Sequence, residues 1–235
     1  MTSPKGSAAR GAIRDLRMGR ATKKAPVRKG GKNPLRAGLR IDKVPDPHTV
    51  VLFGATGDLA HRKVVPAIYH LWAGGLMPEH FALVCFGRRE LSDDQMRSDL
   101  RASLELHART QPINEERWNA FAERISYVKG AFNDPASYVR LADRLKEIDA
   151  VDGTSGNRLY YLATPASSFP EIIRGLGAAG LDHETADSGW RRVVIEKPFG
   201  HDLDSAVRLN REVGKVFRES QVYRDRKSTR LNSSH

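Results

Sequence analysis

With 235 residues, 40% of them hydrophobic, and a single cysteine, the chain holds enough material for one sizeable domain plus extra segments. It offers no intramolecular disulfide framework and no thiolate zinc centre, and apolar runs such as VVLFGA and FALVCFG are far too short to span a bilayer. The net charge of +11 suggests a nucleic-acid binder until it is located: residues 1–45 carry thirteen Lys or Arg against Asp15 and Asp42, whereas the other 190 residues hold 26 basic and 26 acidic side chains.

The basic charge therefore belongs to a tail. Residues 1–47 mix Gly, Ala, Pro, Lys and Arg with few large apolar side chains. They cannot bury enough surface to offset the entropy of ordering and are expected to be disordered. The same composition also fits an organelle transit peptide, an arm for polyanions, or upstream in-frame translation. The balanced remainder is expected to bind neither nucleic acid nor membrane. Cys85 lies inside an apolar run and reads as a buried core thiol in a cytoplasmic protein.

From residue 48 short β-rich runs alternate with helical periods. His48–Phe53 is the first expected strand, and Leu59–Ala73 an amphipathic helix with Leu59, Val64, Ala67, Ile68 and Leu71 toward one side. Phe81–Phe86 is the second strand. Ser92 opens a helix, because its hydroxyl can accept an orphan backbone N–H and Asp93 and Asp94 suit the positive end of the dipole. A helix over Asn114–Glu123, a short strand Ile125–Val128 and a helix over Pro135–Ile148 follow, the proline at a permissible early position. A glycine-rich DGTSGN turn leads to strand Arg158–Ala163, then a helix Ser168–Ala179 that stops at Gly180. Strand Arg191–Glu196 and helix Leu203–Phe217 complete the pattern. Strands alternating with helices imply parallel pairing, so residues 48–224 are expected to form a Rossmann-like, doubly wound α/β domain with helices on both faces.

Gly54-Ala55-Thr56-Gly57-Asp58-Leu59-Ala60 stands directly between the first strand and the first helix. This G-x-x-G-x-x-A spacing is a variant of the dinucleotide fingerprint. Gly54 permits the sharp turn, Gly57 lets backbone approach a pyrophosphate, and small Ala60 lets helix and strand pack closely. The N–H groups of the helix start then face the phosphates, where the dipole favours negative charge, and Thr56 adds a hydroxyl donor. The second strand ends at Gly87-Arg88-Arg89-Glu90. Domains that select NAD carry a carboxylate here for the ribose 2′-hydroxyl, whereas an arginine pairs with the 2′-phosphate of NADP. Arg88 is the first candidate and Arg89 its helper.

Three segments go beyond this general pattern. FGATGDLAHRKVVPAIYHL, LYYLATPASSFPEII and RRVVIEKPFGHDLDSAVRLN, in that order and spacing, closely resemble glucose-6-phosphate dehydrogenases, with Val-Ile-Glu-Lys-Pro-Phe-Gly at 194–200 the most specific. The likeness runs from about His48 to Arg224. It implies an enzyme that oxidises glucose 6-phosphate at C1 to the lactone with hydride transfer to NADP, built from a coenzyme domain and a larger α+β domain, and a homo-oligomer when full length. Position by position it places Gly54, Ala55, Thr56, Gly57, Asp58, Leu59 and Arg88 on the coenzyme and Tyr161 and Lys197 near its nicotinamide end, with Lys197 also on the sugar. A lysine at the carboxyl end of a strand in an open α/β sheet does point into the ligand crevice. Thr164-Pro165-Ala166 departs from the family's Leu-Pro-Pro.

The resemblance stops at Tyr223-Arg224. The family continues Ile-Asp-His-Tyr-Leu-Gly-Lys-Glu, with a further histidine as general base well downstream. Here Asp225–His235 has neither strand nor helix period and reads as a non-native tail. The second domain and the catalytic histidines are therefore expected to be missing, and the chain itself to be inactive. A non-catalytic NADP-binding module or partner subunit is the alternative. Removal of the C1 hydroxyl proton needs a positioned base. His61 and His70 on the first helix and His201 beside Asp202 do not present one, and the eight histidines lack metal-ligand spacing.

Overall fold

A computed structural model describes residues 44–185, 188–196 and 203–224. Lys197 with the rest of its Pro-Phe-Gly turn, His201, most of the basic tail and the segment after Arg224 lie outside the described residues.

Among the described residues six strands form one sheet: β1 His48–Phe53, β2 Phe81–Gly87, β3 Ile125–Lys129, β4 Arg158–Leu162, β5 Arg191–Ile195 and β6 Val222–Arg224. Their order is β3-β2-β1-β4-β5-β6 and every pairing is parallel. The chain thus winds outward from β1 in one direction and restarts from β4 in the other. The crevice at this reversal, outside the carboxyl ends of β1 and β4, is where ligands of such sheets bind. All of β1 and β2 is buried, as expected for parallel strands covered on both faces.

The helices are α1 Val65–Ala73, α2 Asp93–His107, α3 Glu115–Ala122, α4 Pro135–Asp152, α5 Phe169–Ala178 and α6 Leu203–Gly214. Side chains of α1, α2 and α3, among them Val65, Ile68, Leu100 and Phe121, pack on Val50, Leu52, Leu83 and Cys85. Alternate strand residues Val51, Phe53, Val84, Tyr160 and Ile195 meet Leu141, Ile172, Leu209 and Val213 of α4, α5 and α6 on the other face. This is the expected double winding. The first face is only half covered, because Leu159, Tyr161, Arg192 and Val194 of β4 and β5 stay partly exposed there.

Local chemistry explains the element ends. Ser92 Oγ accepts from Gln95 N–H at 3.1 Å while the Gln95 side chain accepts from Ser92 N–H at 2.8 Å, a reciprocal cap that starts α2. Asn114 caps α3 and Asp134 caps α4. The last runs four residues past the expected Ile148, to Asp152, and stops where Gly153 turns left-handed at φ +65°. Other features depart from expectation: Ala67 and Leu71, expected on the apolar side of the first helix, are exposed, and α6 ends at Gly214 rather than Phe217. A π-helical turn occupies Ala60–Val64 before α1, and β6 adds a sixth strand too short to show alternation.

At the amino edge of the sheet Arg158, 4% exposed at its side chain, pairs with Asp149 of α4. Thr154 donates to the same carboxylate at 2.5 Å and the Gly156 amide at 3.1 Å. The pair ties the end of α4 to the start of β4. It is remote in the sheet from the crevice, so it positions strands rather than ligand.

Candidate functional site

The turn after β1 is held by β2. The amides of Gly54 and Ala55 both donate to the Phe86 carbonyl, at 3.0 and 3.2 Å, and Gly57 N–H closes back on the Gly54 carbonyl at 2.9 Å. Gly54 has φ +79°, and a Cβ there would lie 2.7 Å from the Ala163 carbonyl oxygen and 2.7 Å from Thr164 Cγ2. No larger residue fits without displacing the turn from the backbone that follows β4. A Cβ on Gly57 would sit 3.1 Å from the Gly54 oxygen, so a side chain there would crowd the turn. Ala60 is fully buried, as the close approach of helix to strand requires.

The helix begins at Asp58, and its first turn is closed by His61 N–H on the Gly57 carbonyl at 3.1 Å. The amides of Asp58, Leu59 and Ala60 precede that bond and have no acceptor within the helix. They project from the helix start at the crevice, where the dipole is positive. Asp58 is exposed and pairs with Arg62 at 3.5 Å, a weak surface contact. The fit to a diphosphate is thus geometric: a turn that leaves no room for a Cβ at Gly54 and little at Gly57, followed by amides with no acceptor inside the helix. Thr56, partly exposed, faces the end of β2, with its Oγ1 3.5 Å from where a Cβ on Gly87 would be.

Arg88 and Arg89 are exposed just past β2, and no ion pair engages either among the described residues. Their backbone is pinned, since Tyr127 Oη donates to the Arg89 carbonyl at 2.7 Å and Gly130 N–H to the Gly87 carbonyl at 2.8 Å. Glu90 pairs with Lys129 of β3. Reading the sequence had not singled out Tyr127 or Lys129. The signal was weak, because both contacts cross between strands that are distant in sequence.

On the other side of the crevice Tyr161, half-buried on β4, donates its hydroxyl to Glu196 just after β5. This joins two of the quoted motifs in space. Lys197 follows directly but lies outside the described residues. Thr164 has a buried hydroxyl without a hydrogen-bond partner among the described residues.

Acid–base chemistry is sparse here. Burial pushes the His61 imidazole below its ordinary value, despite the opposing pull of Asp99 and the Ala55 carbonyl. A His–carboxylate contact does occur between His183 and Asp182 at 3.1 Å, but it sits in the loop leading to the amino end of β5, across the sheet from the crevice. No group of three metal-ligating side chains occurs among the described residues. Cys85 is fully buried, and burial pushes its thiol far up, which makes it the core residue expected.

The family profile described as glucose-6-phosphate dehydrogenase, NAD binding domain, matches residues 51–225. The chain belongs to the glucose-6-phosphate dehydrogenase family. A Mycobacterium tuberculosis protein named glucose-6-phosphate 1-dehydrogenase 2 is 43% identical over 195 residues, which cover 82% of this chain and 38% of that one. The Bacillus subtilis glucose-6-phosphate 1-dehydrogenase is 38% identical over 175 residues, 74% of this chain and 34% of its own length. A solved glucose-6-phosphate dehydrogenase in complex with its substrate glucose-6-phosphate superposes with a TM-score of 0.69 at 28% identity, covering 78% of this chain and 37% of that one. The Mycobacterium avium enzyme gives 0.64 at 30% identity, covering 77% and 36%. The chain therefore spans well under half the length of these glucose-6-phosphate dehydrogenases. The match falls on the dinucleotide-binding domain, in agreement with the strand order and the glycine turn. No helix among the described residues is long and apolar enough to cross a membrane.

Proposed function

We propose that this chain is the coenzyme-binding part of a cytoplasmic, NADP-dependent glucose-6-phosphate dehydrogenase. The carrying observation is the turn at Gly54, which leaves no room for a side chain and leads into helix-start amides that have no acceptor inside the helix, at the sheet's reversal. NADP, when bound, supplies the nicotinamide ring that accepts hydride from C1 of the sugar. The amides of Asp58 and Leu59, framed by Gly54, Ala55 and Gly57, hold the diphosphate, and Thr56 adds a hydroxyl. Arg88 binds the 2′-phosphate through charge-assisted hydrogen bonds, with Arg89 beside it. Tyr161 shapes the nicotinamide end from a position locked by Glu196. Lys197, one residue further, orients the sugar.

With coenzyme bound, the hydride of C1 would go to the nicotinamide and the C1 hydroxyl proton to a base, which would leave the lactone. None of the described residues presents a histidine with an orienting carboxylate at the crevice. We also propose that this chain binds coenzyme without turnover and that the full-length enzyme is a homo-oligomer.

The test is a fluorescence titration of the chain with NADP+ and NAD+. Arg88→Ala should weaken NADP+ by about tenfold or more, as expected for hydrogen bonds to a charged group, and leave NAD+ unchanged. Equal loss of both coenzymes, or of neither, refutes the assignment. Glucose 6-phosphate with NADP+ should yield no reduced coenzyme, and steady turnover by this chain would refute the reading that it only binds.

A further inference from the structure

The corner between the ends of β2 and β3 carries more positive charge than a single arginine. Gly87 and Lys129 are register partners at the carboxyl ends of these strands, so the Arg88-Arg89-Glu90 segment starts beside Lys129. Two backbone contacts keep it there, from Tyr127 Oη to the Arg89 carbonyl and from Gly130 N–H to the Gly87 carbonyl. The corner thus gathers Arg88, Arg89 and Lys129 against one carboxylate, Glu90, which Lys129 engages. The next acid, Asp93, is committed elsewhere: it accepts from Arg144 at 2.7 Å and from the Tyr127 amide at 2.6 Å. Arg140 of α4 directs its guanidinium at the Lys129 carbonyl at 3.4 Å and at Asp134 and Ser137.

Three cations and one carboxylate leave a surplus of two positive charges, which matches a phosphate monoester of about −2 charge near neutral pH. We infer that Lys129 is a specificity-determining residue for the 2′-phosphate of NADP, held beside the binding corner by Glu90. The side chains of Lys129 and Glu90 are 51% and 82% exposed. Their pair is therefore weak and exchangeable, and solvent competes with it. A phosphate dianion already gripped by Arg88 offers Lys129 a stronger partner than Glu90. Glu90 keeps the lysine nearby, but its pair is exposed, so its repulsion of the incoming phosphate and its competition for the Lys129 ammonium outweigh that positioning. Arg88 remains the principal contact, while Lys129 adds charge from the neighbouring strand.

This inference rests on the coenzyme reading above, and the experiment separates the two. Dissociation constants for NADP+ and NAD+ are measured by fluorescence titration for the full chain, Arg88→Ala, Lys129→Met and Glu90→Gln, each at two salt concentrations. Lys129→Met should weaken NADP+ about fivefold, or about 1 kcal/mol at 1.4 kcal/mol per tenfold, and leave NAD+ unchanged. It should also flatten the salt dependence of NADP+ binding, because one fewer cation meets the phosphate. Glu90→Gln should tighten NADP+ alone. Both side chains are exposed, so neither change threatens folding. Loss of NADP+ binding in Arg88→Ala with no effect of Lys129→Met overturns the role of Lys129 and leaves the coenzyme reading intact. An unchanged NADP+ affinity in Glu90→Gln overturns the competition. A parent chain that binds neither coenzyme overturns both readings together.

Discussion

Gly54→Ala, set against Gly75→Ala, separates conformational strain from collision at the phosphate turn. The two glycines share a left-handed backbone, φ +79° and +72°, but not their surroundings. A Cβ at Gly75 meets nothing within 4 Å, whereas one at Gly54 meets the Ala163 carbonyl oxygen and Thr164 Cγ2, both at 2.7 Å. Gly75→Ala should therefore cost only the left-handed penalty of about 1–2 kcal/mol. Gly54→Ala carries the same penalty plus overpacking of about 1–3 kcal/mol. Thr164 can rotate its methyl away, but the carbonyl belongs to backbone that follows β4 and is fixed by Ala163 N–H on the Phe53 carbonyl at 3.0 Å. Relief must come from the turn itself, and this displaces the amides of Asp58 and Leu59. Urea denaturation of both variants gives the stabilities, and NADP+ titration under native conditions gives the affinities. Gly54→Ala should be the less stable by at least about 1 kcal/mol and should bind NADP+ more weakly. Gly75→Ala should keep the parent affinity. Equal stabilities with equal affinities would refute the close packing of the turn on β4 and its role in the cradle.

Further outcomes follow from the buried groups. Asp149→Ala strands the Arg158 guanidinium in the interior and should cost about 3 kcal/mol, measured by urea denaturation. Burial alone would raise the Asp149 carboxyl, but hydrogen bonds from Arg158 and Thr154, the Arg158 charge and the Gly156 amide outweigh it and hold the group below its ordinary value of 3.8. Its stabilisation is therefore present above pH 3.8 and is lost as the pH falls through the lower folded value. In Asp149→Asn the acid limb of the stability curve should flatten, and an unchanged limb would remove Asp149 from the account. Cys85 should resist an aqueous thiol reagent in the native chain and react on unfolding in urea, because it is inaccessible and its thiolate is disfavoured. Prompt labelling of native protein would contradict the packing of β2 beneath α1 and α2.

Much of the fold was legible because its signals are local. VVLF within His48–Phe53 and the run FALVCFG are continuously apolar, as strands buried on both faces tend to be, and both lie in strands. Ser92 announces a helix start and caps α2 as expected, whereas Asn114, expected inside the next helix, is its cap. The glycine turn was readable for the same reason, since its spacing reports on one stretch of backbone. β6 escaped notice because three residues, with Tyr223 55% exposed, carry no period and gain strand character only by pairing with β5. The helix past Ile148 was cut short because its end is set by a left-handed glycine, not by a loss of apolar period.

The candidate site divides along the same line. Gly54, Gly57 and Arg88 stood out in the sequence because steric permission and charge are properties of single residues at fixed offsets from one strand. Family membership was equally readable, since the three quoted motifs are contiguous segments. What only the tertiary structure decided is which distant residues meet: Tyr161 with Glu196, Tyr127 beneath Arg89, Lys129 against Glu90, and the end of β4 pressed on Gly54. These contacts depend on strand order and register, which place residues 35 to 110 positions apart within bonding distance. One-dimensional spacing holds no record of them, because the free energy that selects the register is summed over both faces of the whole sheet.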